Sequence, residues 1–329
     1  MNEDTILEVR DLRAEYVSAG RRVAAVRGVS FTLRRGEKMA IVGESGCGKS
    51  TLALALLGLL DPPGCFVGGS VRLNGREISG LDDRAMRRIR GRDIAFIYQD
   101  AMAALDPIRS IGSQLCDNIR RHQPAVGRAE ARRRAAALLA AVEVPDAERR
   151  LDHYPHQYSG GMRQRVMIAM ALANNPDVLV ADEPTTALDV TTQAQVLALL
   201  DRLTAAHGFG IVLITHDFSE VEAFCDRVHV MYAGRIVEHG PVASVLPHPI
   251  HPYTQALLAT MPRPGLARLP AIPGLPPDLG ALSAGCAFAP RCPVGVGRAI
   301  CTTDAPPPGP AECHFASELA SGVAAGSPT

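Results

Sequence analysis

The fold of this chain is indicated most strongly by Gly43-Glu44-Ser45-Gly46-Cys47-Gly48-Lys49-Ser50-Thr51. The stretch fits G-x-x-x-x-G-K-[ST], in which glycines let backbone N–H groups turn inward around an anion where a Cβ would obstruct them. The apolar run at residues 39–42 predicts a buried parallel strand before it, and a helix is predicted from about Ser50 to Leu60 after it. A chance Gly-rich turn is the alternative, but the strand–loop–helix context favours a phosphate-binding P-loop.

This P-loop predicts a site for ATP and Mg²⁺. Lys49 is placed to reach the β- and γ-phosphates, and the Ser50 hydroxyl is placed to ligate Mg²⁺. The N-terminus of the following helix adds the positive end of its dipole. From this loop, the residues expected at the nucleotide are Gly43, Ser45, Gly46, Cys47, Gly48, Lys49, Ser50 and Thr51.

The rest of the chain alternates strands, loops and helices. Residues 178–181 and 211–214 are short apolar runs followed at once by polar residues, which is typical of an α/β domain with a mainly parallel sheet. A polar helical pattern rich in Ala and Arg predicts a helical insertion over about residues 100–165, and proline becomes frequent beyond residue 241. We therefore predict an α/β domain over residues 1–240 and a separate loop-rich extension over residues 241–329.

Composition excludes several classes of protein. Apolar residues make up 47% of the chain and charged residues 21%, which excludes wholesale disorder. Lys and Arg (34) balance Asp and Glu (34), so no overall field attracts nucleic acid, and the Arg clusters at residues 84–92 and 128–134 are interpreted as solvated helix faces. Since we find neither a secretory signal nor an apolar run of about 20 residues, we expect a soluble intracellular protein that needs a partner to span a membrane.

A second candidate centre is the acid pair Asp182 and Glu183, which follows the apolar run at residues 178–181. Open α/β sheets bind ligands at the C-terminal ends of their strands. There we expect Asp182 to hold Mg²⁺ and Glu183 to act as general base on the attacking water. Alone, such a pair is more often a helix N-cap, and its combination with a P-loop favours the catalytic interpretation.

At this point the chain resembles the ABC ATPases. Tyr158-Ser159-Gly160-Gly161-Met162-Arg163-Gln164-Arg165 looks like that family's signature motif, and Thr186-Ala187-Leu188-Asp189 looks like its D-loop. Gln99, His216 and Tyr16 match the Q-loop glutamine, the switch histidine and the aromatic residue that stacks on adenine. The resemblance implies an α/β fold with a RecA-like P-loop NTPase core, an antiparallel β subdomain, a helical insertion and a small C-terminal extension rich in proline and cysteine.

The resemblance also implies a role for each of these residues. His216 would contact the γ-phosphate, and Gln99 would ligate Mg²⁺, sense the attacking water and report the occupied state to a membrane partner. A helix start such as the one at Ser159 is suited to anion binding. The residues implied to bind nucleotide at the seam of a head-to-tail dimer are Ser159, Gly160, Gly161 and Asp189.

Three segments resemble one branch of the family, the di- and oligopeptide importer ATPases. These segments are residues 155–172, 182–190 and 251–258, and the chain departs from the branch at Ala101, where proline is usual. The resemblance implies an ATP-binding, ATP-hydrolysing subunit that energises import of di- and oligopeptides across the cytoplasmic membrane. It would lie peripherally on the cytoplasmic face of that membrane.

The implied partners are a second ABC ATPase subunit, two membrane-spanning permease subunits and an extracytoplasmic substrate-binding protein. Peptide importers commonly use two different ATPase subunits, so a heterodimer with a paralogue is favoured. Nickel or another small solute is an alternative cargo, because such importers share the subfamily. A soluble ABC ATPase of DNA repair or translation is less favoured, because we find neither a long coiled-coil insert nor a second cassette.

Four cysteines of the extension form a separate candidate site. Cys286, Cys292, Cys301 and Cys313 are spaced C-x5-C-x8-C-x11-C, which by itself identifies neither a zinc site nor a ferredoxin-type cluster. By resemblance this is the extension's own cysteine pattern, and some members of the branch carry a [4Fe–4S] cluster there. We therefore expect an iron–sulfur cluster, with zinc and four metal-free thiols as the alternatives.

Overall fold

The computed structural model describes residues 4–18, 20–261 and 270–321, so parts of the predicted extension lie outside the described residues. Short β-branched and apolar runs form the strands, as their sequences favour. The strands are β1 (Thr5–Ser18), β2 (Arg21–Arg34), β3 (Lys38–Val42), β4 (Gly64–Leu73), β5 (Arg76–Glu77), β6 (Ile94–Ile97), β7 (Val178–Asp182), β8 (Gly210–Thr215), β9 (Arg227–Tyr232) and β10 (Arg235–Pro241).

Helices occupy the segments between these strands and much of the C-terminal part. They are α1 (Lys49–Leu56), α2 (Asp83–Ile89), α3 (Ala101–Ala104), α4 (Ile111–His122), α5 (Arg128–Ala141), α6 (Ala147–Arg150), α7 (Gly160–Leu172), α8 (Val190–His207), α9 (Phe218–Phe224), α10 (Val242–Val245), α11 (Pro252–Ala259), α12 (Ile300–Thr303) and α13 (Ala316–Ala320). Each helix in the described ranges is too short or too polar to cross a membrane.

The chain divides into two compact units, which are described separately. The first unit takes in residues 1–7, 32–38 and 72–214, and the second takes in residues 8–31, 39–71 and 215–329. Each unit is therefore built from three separate stretches of the chain.

In the first unit, three parallel strands lie in the order β8-β7-β6. Val178 of β7 is paired with Gly210 of β8 and with Ile94 of β6, and every residue of β7 is buried. Strands covered on both faces read as continuous apolar runs, which is why the sequence of β7 indicated its position. The acid pair follows directly from this strand.

The helical insertion of the first unit packs around its own core. Helices α4, α5 and α7 are in mutual contact. The buried residues Ile111, Leu115 and Ile119 of α4, and Ala131, Ala135 and Leu139 of α5, recur at the four-residue intervals of an amphipathic helix. The Ser110 side chain caps α4 by accepting a hydrogen bond from the Ser113 N–H at 3.3 Å. The helical prediction for this segment matches the observed elements.

In the second unit, β9 lies between β3 and β10. Strand β3 pairs with β9 in parallel from Met39–Arg227 to Val42–Val230, whereas β10 pairs with β9 antiparallel. β1 lies between β2 and β4 in a separate sheet. The central strands β3 and β9 are almost wholly buried, so the loop that follows β3 starts from a fixed position.

The C-terminal extension attaches to β10 through backbone and ionic contacts. The Glu312 N–H donates to the Val237 carbonyl at 2.8 Å, and the Arg235 guanidinium binds the Glu312 carboxylate at 2.9 and 3.1 Å. The buried carboxylate of Glu238 accepts from the N–H groups of Ile250 and His251, at 2.7 and 3.0 Å. Burial raises the pKa of Glu238, and these two N–H groups oppose that rise.

Candidate nucleotide site

The P-loop connects β3 to α1 in the second unit, and two of its glycines are required by close approach of backbone. A Cβ at Gly43 would lie 2.2 Å from the Met231 carbonyl oxygen, and one at Gly48 would lie 2.2 Å from the Ala25 carbonyl oxygen. Gly48 also has a φ of 108°, which side chains disfavour. The loop is therefore a tight cradle whose open side carries Ser45, Gly46 and Ser50, the exposed members of the motif.

Lys49 lies inside this cradle. Its side chain is buried, and Nζ donates to the carbonyl oxygens of Gly43 at 2.7 Å and Glu44 at 3.0 Å. The ammonium group is thus oriented by the loop itself. Cys47 is buried beside it, and desolvation raises the pKa of this thiol, so we expect it to stay protonated and unreactive.

Tyr16 and Thr51 are in contact at the edge of the P-loop. The Tyr16 hydroxyl lies 3.3 Å from Thr51 Oγ1, and a Cβ at Gly64 would lie 3.0 Å from the Tyr16 ring. The ring therefore has a fixed position on β1 next to the start of α1. Stacking on adenine remains a prediction for this residue.

The acid pair lies at the end of β7 in the first unit. Asp182 is buried, whereas Glu183 is partly exposed. Glu183 has a φ of 46°, a left-handed conformation that non-glycine residues adopt rarely, and its N–H donates to the Ile214 carbonyl at 2.8 Å. Such backbone strain persists only where surrounding contacts enforce it, and it is common at functional sites.

Two side chains orient the Glu183 carboxylate. Oε2 accepts a hydrogen bond from Gln99 Nε2 at 3.1 Å and one from Thr186 Oγ1 at 2.9 Å. The structure therefore brings Gln99 and Glu183 together, although 84 positions separate them in sequence. The motif that contains Thr186 predicts a D-loop and does not indicate this contact. Ala101, the departure from the branch, is the first residue of α3, two positions after Gln99.

The signature and D-loop motifs open two neighbouring helices of the first unit. Ser159 caps α7 by accepting from the Met162 N–H at 3.3 Å, and Asp189 caps α8 by accepting from the N–H and hydroxyl of Thr192 at 3.1 and 2.7 Å. These bonds from Thr192 lower the pKa of Asp189. A Cβ at Gly161 would lie 2.7 Å from Thr192 Cγ2, so the two helix starts are packed together. Ser159, Gly160 and Asp189 remain exposed.

His216 belongs to the second unit, where it directly follows β8 and is exposed. The residues on either side fix the local chain. Thr215 donates its hydroxyl to Glu220 at 2.7 Å and accepts from the Asp217 N–H at 3.0 Å, while Asp217 caps α9. The turn that carries His216 is therefore well defined, and its contact with a γ-phosphate stays a prediction.

The four tail cysteines line one cavity of the second unit, of about 10 Å³. Cys292 and Cys301 are buried and the other two are partly buried. Desolvation raises the pKa of all four thiols, that of Cys286 to about 11, so as bare thiols they are protonated at neutral pH. Within the described part of the chain, no group of three or more His, Cys, Asp or Glu side chains is arranged to hold a metal ion.

Two residues of the extension contact the P-loop although no sequence motif assigned them to the site. Tyr253 accepts from the Glu44 N–H at 2.8 Å, and the Arg291 guanidinium binds the Glu44 carboxylate at 2.6 and 3.0 Å. Tyr253 was noted only as part of a branch-specific segment. No local pattern around Arg291 signalled the contact.

Two family models match the chain. The ABC transporter model matches residues 26–186, and the model of the oligopeptide/dipeptide transporter C-terminal region matches residues 237–301. The second match covers three of the four tail cysteines, Cys286, Cys292 and Cys301. Both agree with the resemblance inferred from the motifs.

Curated relatives cover most of the chain. The oligopeptide transport ATP-binding protein OppD of Salmonella typhimurium is 48% identical over 88% of this chain and 87% of its own length. The probable peptide ABC transporter ATP-binding protein y4tR of Sinorhizobium fredii is 48% identical, with 89% of each chain covered. OppD of Mycobacterium bovis is 49% identical over 90% of this chain, which spans only about half (48%) of that relative's length.

Solved structures of ATP-binding cassettes share the fold. A dimeric cassette, MJ0796, in a post-hydrolysis state bound to ADP and Pi superposes with a TM-score of 0.64 at 30% identity, covering 72% of this chain and 98% of that one. The cbiO1 subunit of the ABC transporter complex cbiONQ from Clostridium perfringens has a TM-score of 0.62 at 28% identity, covering 74% of this chain and 92% of that one. The predicted α/β cassette fold is therefore confirmed.

Proposed function

Because this chain belongs to the ABC transporter ATP-binding family, in its oligopeptide/dipeptide transporter branch, we propose that it hydrolyses ATP to drive import of di- and oligopeptides across the cytoplasmic membrane. The observation that carries the proposal is Glu183 at the end of a buried strand: its backbone has a left-handed φ of 46°, and its carboxylate accepts hydrogen bonds from Gln99 and Thr186. A carboxylate so fixed is suited to accept a proton from water.

The residues of each unit fit the phosphates and Mg²⁺ that ATP hydrolysis needs. In the second unit, backbone N–H groups of the loop closed by Gly43 and Gly48, together with the Lys49 ammonium, would bind the phosphate oxygens. Mg²⁺ prefers hard oxygen ligands, and the residues that would hold it are Asp182, Gln99 and Ser50, through carboxylate, amide and hydroxyl oxygens. When bound, Mg²⁺ supplies charge neutralisation at the phosphates. His216 would contact the γ-phosphate, and Tyr16 would stack on adenine.

Substitution of Glu183 by Gln tests the catalytic assignment. We expect ATPase turnover to fall about 100- to 1,000-fold, because the amide cannot accept the proton, while ATP affinity stays within about twofold of wild type. Turnover is measured by phosphate release and affinity by nucleotide titration. Glu148→Gln is the matched control, since Glu148 is exposed on α6 and should leave turnover unchanged. Unaltered turnover in Glu183→Gln would remove Glu183 as the base.

We further propose that the signature completes the nucleotide site of a second ATPase subunit, preferably a paralogue in a heterodimer. Ser159 and Gly160 are exposed at the start of a helix of 13 residues, where N–H groups suit an anion. Two membrane-spanning permease subunits and an extracytoplasmic binding protein would complete the transporter, with this chain on the cytoplasmic face. Size measurement of the Glu183→Gln variant with ATP, alone and with the candidate paralogue, distinguishes homodimer from heterodimer.

The cargo is tested by uptake in cells whose only version of this chain carries Glu183→Gln. We expect uptake of a labelled oligopeptide to be lost and that of Ni²⁺ to be unchanged. Loss of Ni²⁺ uptake with normal peptide uptake would favour the small-solute alternative instead. The names of the relatives support the peptide assignment.

A [4Fe–4S] cluster on Cys286, Cys292, Cys301 and Cys313 is a separate proposal. Four soft thiol ligands around one cavity support it. The cavity volume of about 10 Å³ and the lack of a metal-holding group among the described residues count against it. Anaerobic purification with metal analysis decides between about four irons per chain, one zinc, and no metal.

A further inference from the structure

The C-terminal extension holds the second residue of the P-loop, Glu44, whose carboxylate has no role in the site described above. The Arg291 guanidinium makes two hydrogen bonds to the Glu44 carboxylate, at 2.6 and 3.0 Å. The Arg291 side chain is only 4% exposed and that of Glu44 is 23% exposed. Bidentate ion pairs between a guanidinium and a carboxylate are stronger than single-bonded ones, because both the geometry and the charge of the two groups match.

Arg291 is itself fixed by the extension. Its Nε donates to the Pro273 carbonyl at 2.9 Å, and its guanidinium carbon lies 6.0 Å from the centres of the Tyr232 and Phe288 rings. Gly274 has a φ of 76°, and a Cβ there would lie 3.2 Å from Arg291 Cγ. The guanidinium is therefore oriented towards Glu44 by its contacts with Pro273, Tyr232 and Phe288.

Tyr253 of α11 holds the backbone of the same residue. Its hydroxyl accepts a hydrogen bond from the Glu44 N–H at 2.8 Å. The Tyr253 side chain is fully buried, and its ring centre lies 4.4 Å from that of Tyr232 and 5.3 Å from that of Phe288. The extension therefore contacts Glu44 through both the backbone and the carboxylate.

Glu44 in turn orients Lys49. The Glu44 carbonyl oxygen accepts from Lys49 Nζ at 3.0 Å, so the residue held by the extension is also a residue that directs the ammonium group. The Glu44 carboxylate would also place a negative charge in the phosphate-binding loop if Arg291 did not neutralise it. Like charges in a partly buried site repel strongly.

We propose that Arg291 and Tyr253 are positioning residues for the P-loop, through which the C-terminal extension sets the affinity of the protein for ATP. Arg291 acts by neutralising and orienting the Glu44 carboxylate, and Tyr253 by fixing the Glu44 N–H. Neither residue needs to touch the nucleotide. The inference rests on the proposed binding of ATP at this loop.

The test is equilibrium titration of the full chain with Mg²⁺ and a fluorescent ATP analogue. We expect Arg291→Ala to raise the dissociation constant about tenfold, through loss of a charge-assisted pair and repulsion by the freed carboxylate. Arg291→Lys should restore part of the affinity, because it keeps the charge but not the two-point geometry. Arg298→Ala is the control, since Arg298 packs on Phe315 in the same extension, 3.9 Å from the ring centre.

Two further variants separate charge from geometry. Glu44→Gln combined with Arg291→Ala removes the unneutralised carboxylate, so we expect it to bind ATP more tightly than Arg291→Ala alone. Tyr253→Phe keeps the packed ring and removes only the acceptor of the Glu44 N–H, so it tests the proposal even where Arg291→Ala does not fold. We expect a two- to fivefold rise in the dissociation constant for Tyr253→Phe.

Turnover at saturating ATP distinguishes a positioning role from a catalytic one. In Arg291→Ala and in Tyr253→Phe we expect this turnover to change less than the affinity for ATP. Dissociation constants of folded Arg291→Ala and Tyr253→Phe within twofold of wild type would overturn the inference, as would an equal loss in Arg298→Ala. Absence of ATP binding by the wild-type chain would instead contradict the proposed function. The two failures are therefore distinguishable.

Discussion

Two Gly-rich turns of this molecule open helices and are built in opposite ways. In the P-loop, the glycines at positions 43 and 48 are packed against carbonyl oxygens of their own unit, and the ammonium of Lys49 is enclosed. In the signature, a Cβ at Gly161 would lie 2.7 Å from Thr192 Cγ2, but one at Gly160 would meet only Leu188 Cδ2, at 3.7 Å, and Ser159 and Gly160 are exposed. The first turn is a complete cradle, whereas the second is a surface that requires another molecule to become a site.

The largest difference between the two turns is expected for Lys49→Ala. Loss of the enclosed ammonium should weaken ATP binding by at least about 100-fold, because the variant lacks the full positive charge that Lys49 places at the β- and γ-phosphates. Nucleotide titration measures the effect. Near-wild-type affinity in this variant would contradict the phosphate assignment, and the P-loop would no longer differ from the signature in binding.

Alanine at Gly48 and at Gly160 tests the contrast in packing. Gly48→Ala should lower the free energy of unfolding by about 3 kcal/mol, because the new Cβ meets the Ala25 carbonyl and φ is positive. Gly160→Ala should change it by less than about 0.5 kcal/mol and still reduce ATPase turnover. Urea unfolding and phosphate release provide the two readouts. Equal stability losses at both positions would show that the two turns are packed alike.

Removal of a serine cap tests the exposed turn of the signature separately from the stability of its helix. Ser159→Ala and Ser110→Ala each remove a cap bond of 3.3 Å, so both should cost about 1 kcal/mol of stability. Only Ser159→Ala should also lower ATPase turnover, because Ser110 caps α4 and is not part of the signature. A similar loss of turnover in Ser110→Ala would mean that helix stability alone explains the effect.

The smallest expected effect is the pH dependence of stability in the unit that carries the P-loop. His229 of β9 is fully buried beside Phe31 and His239, and desolvation, followed by the charges of His239 and Arg227, lowers its pKa well below 6.5. The folded protein therefore keeps this ring neutral, whereas the unfolded chain protonates it with a pKa of 6.5. The free energy of unfolding is not reduced by this histidine above pH 6.5, and it falls as the pH drops below that value.

Between pH 7 and 6 the loss from one such histidine is about 0.7 kcal/mol. His229→Phe should reduce the pH dependence of the free energy of unfolding by about this amount, as measured by urea titration at both pH values. An unchanged pH dependence would mean that other groups carry it. Two residues further along the same strand, the Met231 carbonyl borders Gly43, so the protection factors of the P-loop amides, which allow for the intrinsic slowing of exchange in acid, should fall from pH 7 to 6 in wild type.

Much of the site was predictable because its motifs are local. The P-loop needs a buried strand, a run of glycines and a helix start in adjacent residues, and the sequence of residues 39–60 specifies all three. The acid pair at 182–183 was predictable for the same reason, since a wholly apolar run indicates a central strand and the next residues must lie at its end. The signature was identified by resemblance, and its capping by Ser159 follows the ordinary preference of helix starts.

The contacts that orient these groups depended on tertiary structure. Gln99 meets Glu183 across 84 positions, and Arg291 meets Glu44 across 247, in each case because strands or loops distant in the chain are packed together. The φ of 46° at Glu183 is likewise imposed by its contacts, because glutamate has no intrinsic preference for it. A local pattern fixes which groups are present and where on an element they lie. Long-range packing fixes which of them meet, since loop closure over such distances leaves no signature in neighbouring residues.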